Sequence, residues 1–221
     1  MSTFVLTRER LRETALDTLF TNLPPGTRIR SDAELRVSLE GALEGHDPGT
    51  DVHVFGYGSL MWNPAFEFSA SARARVPGWH RRFCLRLLIA RGTPSVPGAM
   101  LALDRGGSCD GVLFRIPAAK AFGELQLLWK REMATGAYDV RWVIARAGAG
   151  HVRALTFVVN RTHPRYIGGL PIEQVAHMIC TGQGVLGTSR DYFEDTLRSL
   201  AAMGVRDAGM ERLRRAILAR G

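Results

Sequence analysis

Apolar residues recur every four positions at the start of this chain and every two positions in its middle. Leu11, Ala15 and Leu19 predict a helix over Thr7 to Phe20, ended by Leu23-Pro-Pro-Gly26. Ser31-Asp-Ala-Glu34 has capping-box spacing and opens a second helix with Leu35, Leu39 and Leu43 on one face. A loop at Gly45 to Gly49 follows, and the period then shortens. Val52, Val54 and Phe55 read as a strand. Residues 73–89 predict one or two strands interrupted by Pro77-Gly78. Ala99 to Leu103 and Gly111 to Ile116 predict a hairpin turning at Gly106-Gly107. Pro117 belongs in the first turn of a helix that reaches about Thr135, with Gly136 as its stop. Val140–Ala145 and His151–Asn160 pair as strands around Gly148-Ala-Gly150. Pro171 opens a helix to Cys180, which Gly182-Gln-Gly184 ends. Thr188-Ser-Arg-Asp191 caps another helix, which stops near Gly204, and a last helix spans about Asp207 to Ala219. Strands followed by helices make an α+β class with a mostly antiparallel sheet. Residues 1–49 form a helical N-terminal extension, and residues 50–221 form the main domain.

The stretch His53-Val-Phe-Gly-Tyr-Gly-Ser-Leu-Met-Trp62 is central to this arrangement. Its strand stops at Gly56-Tyr57-Gly58-Ser59. Two glycines one residue apart allow φ > 0 and a close approach to the main chain. Successive N–H groups in such a loop can make a concave anion site. The plainer reading is a tight turn that happens to contain a serine. The third glycine of a dinucleotide fingerprint and the Gly-Lys-Ser/Thr of a P-loop are both missing.

A second feature lies on the helix after Pro117. Ala121, Leu125 and Leu128 form an apolar stripe whose next position is Glu132. Lys130 and Arg131 point elsewhere, and Glu124 lies about 80° away around the helix. A carboxylate aimed along a core face has a raised pKa, as a general base at neutral pH needs. Equally, Glu132 could reach solvent from a fraying last turn or pair with an arginine such as Arg82.

Charge and composition narrow the classes. The chain carries +8 over 221 residues, and Lys120 and Lys130 are its only lysines. That balance favours anionic partners, but the arginines are dispersed; solvated arginines are the default and nucleic acid a minor hypothesis. Cys84, Cys109 and Cys180 have neither disulfide nor zinc spacing and read as reduced thiols. The six histidines show no metal-ligand spacing, and Gly-x-Ser-x-Gly is absent. No stretch resembles a signal peptide or a membrane span, so a cytoplasmic protein without membrane insertion is expected.

The two features fit one known pattern. Val54 to Trp62 resembles the glycine-loop signature of the ChaC family of γ-glutamylcyclotransferases. Gly78 to Cys84, Arg91-Gly-Thr-Pro94 with Pro97-Gly98, Leu128-Trp-Lys-Arg-Glu-Met133 with Tyr138, and Gly187-Thr188 with Tyr192 resemble its further blocks in order. The likeness covers about residues 50–210 and is greatest to bacterial members. It implies a mixed, mostly antiparallel β-barrel of the γ-glutamylcyclotransferase-like type with surrounding helices. It implies cleavage of glutathione to 5-oxoproline and cysteinylglycine, with no cofactor and no metal. It implies substrate binding by Val54, Phe55, Gly56, Tyr57, Gly58, Ser59 and Leu60 with Arg91, Tyr138 and Tyr192, and catalysis by Glu132. Ser189 and Phe193 depart from the asparagine and leucine expected in the last block. Two alternatives stay open: a cyclotransferase for other γ-glutamyl peptides or amines, and a non-catalytic γ-glutamyl-ligand-binding regulator. The oligomeric state is not legible.

Overall fold

The computed structural model describes residues 7–14 and 27–220. In chain order the elements are α1 (Arg8–Glu13), α2 (Asp32–Ala42), β1 (Val52–Gly56), a 3-10 turn (Ser59–Met61), β2 (Ala70–Leu87), β3 (Gly98–Ile116), α3 (Ala118–Glu132), β4 (Tyr138–Ala147), β5 (Gly150–Val159), α4 (Ile172–Thr181), a small hairpin of β6 (Gln183–Gly184) and β7 (Gly187–Thr188), α5 (Ser189–Ala202) and α6 (Ala208–Leu218). Strands β1-β3-β2-β4-β5 close into a barrel, and helices surround it.

Every neighbouring pair is antiparallel except at the seam. There β1 meets β5 in parallel at Val54↔Leu155, and β3 meets β5 at Leu103↔Val158. Strand β1 is buried on both sides. Val52 and Val54 join Leu125, Leu128, Trp129 and Phe157 in one apolar cluster; Phe55 and Tyr57 join Leu101, Leu103 and Phe83 in the other. A strand covered on both faces cannot alternate cleanly between apolar and polar, hence its partial period of two.

The hairpin expected at Gly106-Gly107 does not exist. Residues 98–116 run as one strand paired along nearly all of β2. Gly106 and Gly107 take φ of +104° and +66°, opposite Gly78 at φ +81°. The register passes from Trp79↔Arg105 to Pro77↔Ser108, which leaves one extra residue on β3. The glycines make a bulge that bends two long strands together instead of reversing one. For the same reason Pro77-Gly78 does not divide β2.

Two helices are shorter than the pattern predicted. Helix α1 ends at Glu13, because Thr14 is extended (φ −99°, ψ 130°); Ala15, Leu19 and the Leu23–Gly26 segment lie outside the described residues. Helix α2 forms its capping box: the Ser31 hydroxyl accepts from the Glu34 amide at 3.2 Å, and Glu34 accepts from the Ser31 amide at 2.8 Å. Pro117 precedes α3 in extended conformation (φ −58°, ψ 140°), and Asp51 Oδ1 accepts the Ala118 N–H at 2.9 Å. Helix α3 stops at Glu132, not Thr135, with Gly136 (φ +71°) three residues past its Met133 cap. The hairpin β6–β7 was not anticipated, since two-residue strands are too short to show a period. No helix among the described residues is long and apolar enough to cross a membrane.

Candidate active site

The site lies where four elements end together: the loop after β1, the last turn of α3, the start of β4 and the first turn of α5. Glu132 is its acid. The stripe Ala121, Leu125 and Leu128, with Trp129, is buried and carries Glu132 toward the core; full burial of Leu125 and Leu128 contributes about 2 kcal/mol each. That packing offsets the cost of desolvating the carboxylate, whose side chain is 15% exposed. Burial raises the Glu132 pKa, and the neighbouring Arg131 guanidinium pulls it only partly back. Helix α3 buries a second carboxylate, Glu124, about 80° around the helix from Glu132. Glu124 accepts from Arg8 Nε at 3.0 Å and from the Glu67 amide at 2.9 Å. Against the desolvation that opposes it, these partners hold its pKa below the ordinary value. Of these two carboxylates on α3, Glu132 is the one whose proton affinity is raised.

Three phenols feel the charge of Glu132: Tyr57 from the loop, Tyr138 from β4 and Tyr192 from α5. Burial is the main cause that keeps each of them protonated far above the usual phenol range. Tyr57 donates to the Phe157 carbonyl at 2.7 Å and Tyr138 to the Leu101 carbonyl at 2.8 Å. Both protons are committed to the barrel wall. The Tyr192 oxygen instead faces the Ser59 amide.

The glycine loop is compact. A 3-10 turn starts at Ser59, with the Met61 amide bonded to the Gly58 carbonyl at 2.8 Å. The first amides of such a turn have no partner within it. Neither Gly56 nor Gly58 has positive φ, so the expectation of a left-handed loop is corrected. Glycine is required for space. A Cβ on Gly56 would lie 2.8 Å from Leu60 Cβ, and one on Gly58 would lie 3.0 Å from the Tyr192 hydroxyl.

Two buried arginines grip this loop, against the default of solvated arginines. Arg81, 2% exposed, donates Nε to the Tyr57 carbonyl at 2.7 Å and pairs with Asp207 at 2.8 Å. Its signal was present, since Arg81 shares the strand parity of buried Phe83, Leu85 and Leu87. Arg131 does not point elsewhere. It donates to the Asn63 carbonyl at 2.6 Å and to the Ser59 hydroxyl at 2.7 Å, and its Nε lies 3.0 Å from Glu132 Oε1. Helical periodicity missed it because a long side chain can fold back. Arg82, the partner considered for Glu132, pairs instead with Asp104.

The remaining expected residues divide. Val54 and Phe55 are wholly buried in opposite clusters, and the Phe55 carbonyl accepts the Thr156 hydroxyl at 2.9 Å; they support the loop from below. Leu60 is buried with Val54. Arg91 lies over the Tyr192 ring at 5.8 Å and donates to the Thr188 carbonyl at 2.9 Å. Ser189 donates to the Arg91 carbonyl at 3.0 Å, and Phe193 packs on Phe83 with ring centroids 5.6 Å apart. Both departures from the expected block are thus buried fittings behind Arg91 and Tyr192. Burial raises the Cys84 and Cys109 thiols to about 12 and about 11, which leaves little thiolate for nucleophilic work. A groove of about 760 Å³ between α1, α2 and α3 touches neither Glu132 nor the loop.

Comparisons with known proteins cover the span that holds these residues. The family model described as ChaC-like protein matches residues 52–220. The chain is 42% identical over 177 residues to the glutathione-specific γ-glutamylcyclotransferase of Escherichia coli K12, covering 80% of this chain and 77% of that one. It is 33% identical over 144 residues to human glutathione-specific γ-glutamylcyclotransferase 1, covering 63% of this chain and 65% of the human one. A yeast γ-glutamyl cyclotransferase structure specific to glutathione superposes with a TM-score of 0.71 at 18% identity, over 77% of this chain and 96% of that one, and so shares its fold. With the glycine loop, the buried acid and the barrel all inside the matched span, the chain belongs to the ChaC family.

Proposed function

We propose that this protein is a glutathione-cleaving γ-glutamylcyclotransferase in which Glu132 moves the proton. The observation that carries the reading is a carboxylate of raised proton affinity at the end of α3, 15% exposed and joined through Arg131 to the glycine loop. The E. coli and human relatives named for this reaction support it.

The reaction needs a proton acceptor and a folded substrate. The α-ammonium of the γ-glutamyl group gives a proton to Glu132. The freed amine attacks the γ-carbonyl carbon and closes a five-membered lactam. The C–N bond to cysteinylglycine then breaks as Glu132 returns the first proton to the departing amine. A second proton passes from the attacking nitrogen through Glu132 to that amine, so the lactam keeps one N–H and cysteinylglycine leaves as its ammonium. No water is consumed. Attack within one molecule makes conformational restraint a large part of the rate. The amides at the start of the 3-10 turn beyond Ser59 suit either the substrate α-carboxylate or the oxyanion that forms at the γ-carbonyl. Neutral tyrosines around Glu132 admit a charged amine without competing for its proton.

Incubation of the purified protein with reduced glutathione, followed by mass spectrometry, tests this directly. We expect 5-oxoproline and cysteinylglycine from the wild type and neither from Glu132→Gln. Turnover by a folded Glu132→Gln protein would remove Glu132 from the mechanism. Absence of products from the wild type would shift the substrate to another γ-glutamyl compound.

A further inference from the structure

We infer that Arg131 is a positioning residue that locks the glycine loop to Glu132, so that loop donors and proton acceptor form one rigid unit. The inference rests on Glu132 being the proton acceptor. It goes further in assigning the geometry of the site to a residue that acts through Glu132 and the loop.

Three contacts carry it. The Arg131 side chain is 7% exposed, so its charge must be met from within the protein. Its three nitrogens meet three acceptors: Asn63 O at 2.6 Å and Ser59 Oγ at 2.7 Å on the loop, and Glu132 Oε1 at 3.0 Å on its own helix. Adjacent residues on a helix do not ordinarily face one another. Here the guanidinium folds back over the helix end because the loop holds its other two corners. The planar fork therefore sets the distance between the 3-10 turn and the carboxylate, which a flexible single-point cation would not do.

The charge has a second consequence. The groups facing Glu132 are Arg131 from α3, Tyr57 from the loop, Tyr138 from β4 and Tyr192 from α5. Three are neutral phenols, so Arg131 is the cation that favours the ionised acid. Removing it leaves burial unopposed and raises the proton affinity of Glu132 further. The ionised base is then reached only at higher pH.

The test uses the full chain and follows release of 5-oxoproline from glutathione against pH, with thermal melting to verify folding. For Arg131→Gln we expect kcat at neutral pH to fall by about 100-fold. The acid limb of kcat/KM should move to higher pH. Arg131→Lys keeps the charge and loses the fork. It should leave the acid limb in place while KM rises by about 10-fold. An Arg131→Gln enzyme with an unmoved acid limb and kcat within about twofold of wild type would overturn the inference. Should Arg131→Gln fail to fold, Arg131→Lys decides: a wild-type KM in that variant overturns the fork. Glu132→Gln in parallel separates the two claims. Turnover there defeats the reading of Glu132, whereas an inactive Glu132→Gln beside an unaffected Arg131→Gln defeats only the role of Arg131.

Discussion

At the scale of single residues, the site depends on what is too small and what is too buried. Gly58 is small because the Tyr192 hydroxyl occupies the space its Cβ would need, 3.0 Å away, with Leu101 Cδ2 at 3.4 Å. A branched side chain there must push Tyr192 aside or lift the loop. We therefore expect Gly58→Val to lower kcat/KM for glutathione by about 100-fold, the scale of a 1 Å misplacement near reacting groups. Steady-state kinetics on a variant with unaltered circular dichroism would check this. Unchanged kinetics would dissociate the Gly58–Tyr192 contact from substrate binding. Glu132 shows the complementary case. Burial raises its proton affinity, and the Arg131 guanidinium beside it pulls that only partly back.

At the scale of elements, the loop is supported from a distant part of the chain. Helix α6 is capped by Asp207, whose Oδ1 accepts from the Gly209 amide at 3.0 Å and the Met210 amide at 3.1 Å. The other oxygen, Oδ2, pairs with Arg81, which holds the Tyr57 carbonyl. One side chain thus fixes a C-terminal helix and, through Arg81, the backbone that follows β1. Asp207→Ala removes a cap worth about 1 kcal/mol and leaves Arg81 buried without its counter-charge, a further loss of about 3 kcal/mol. For a chain of this size that is a fall of about 10 °C in melting temperature. Calorimetry tests the fall. A shift below about 2 °C would mean that Asp110 O and Tyr57 O suffice for Arg81.

At the scale of the molecule, carboxylates of opposite behaviour share one fold. Desolvation would raise Asp104, which is wholly buried, but Arg161, Tyr166 and the Arg105 amide together hold its pKa below the ordinary value. Arg75 and Arg73 do the same for Asp110 against its burial, and the Ala118 amide and Arg115 do so for Asp51. A lowered folded pKa means stability present above the ordinary carboxylate range and lost as pH falls through the folded value. Glu132 has the other sign. Its folded pKa is raised, so its contribution is complete below the ordinary glutamate value and is lost as pH rises through the folded one. Glutamine cannot ionise and escapes that loss. We expect Glu132→Gln to melt above wild type at pH 7 to 8, with the gap closing toward pH 4. A gap of the reverse sign at neutral pH would mean that the Arg131 contact outweighs burial. The same fold that gives Asp104 its arginine and tyrosine partners leaves Glu132 with Arg131 beside it.

Much of this architecture was legible without coordinates, because local patterns carry local physics. Ser31–Glu34 and Thr188–Asp191 wrote their capping boxes in four residues each, and both formed. The stripe through Leu125 and Leu128 pointed at Glu132 because helical spacing is regular. What tertiary structure alone decided depends on the partner strand or on side-chain reach. Gly106-Gly107 became a bulge instead of a turn because β2 continues opposite it and bends at Gly78. Gly56 and Gly58 are glycines for lack of room beside Leu60, Phe114 and Tyr192, not for positive φ. Arg131 turned back to Ser59, Asn63 and Glu132 because its flexible stem reaches a loop 68 to 72 residues away in sequence, and helical periodicity specifies the Cβ direction, not the far end of a guanidinium.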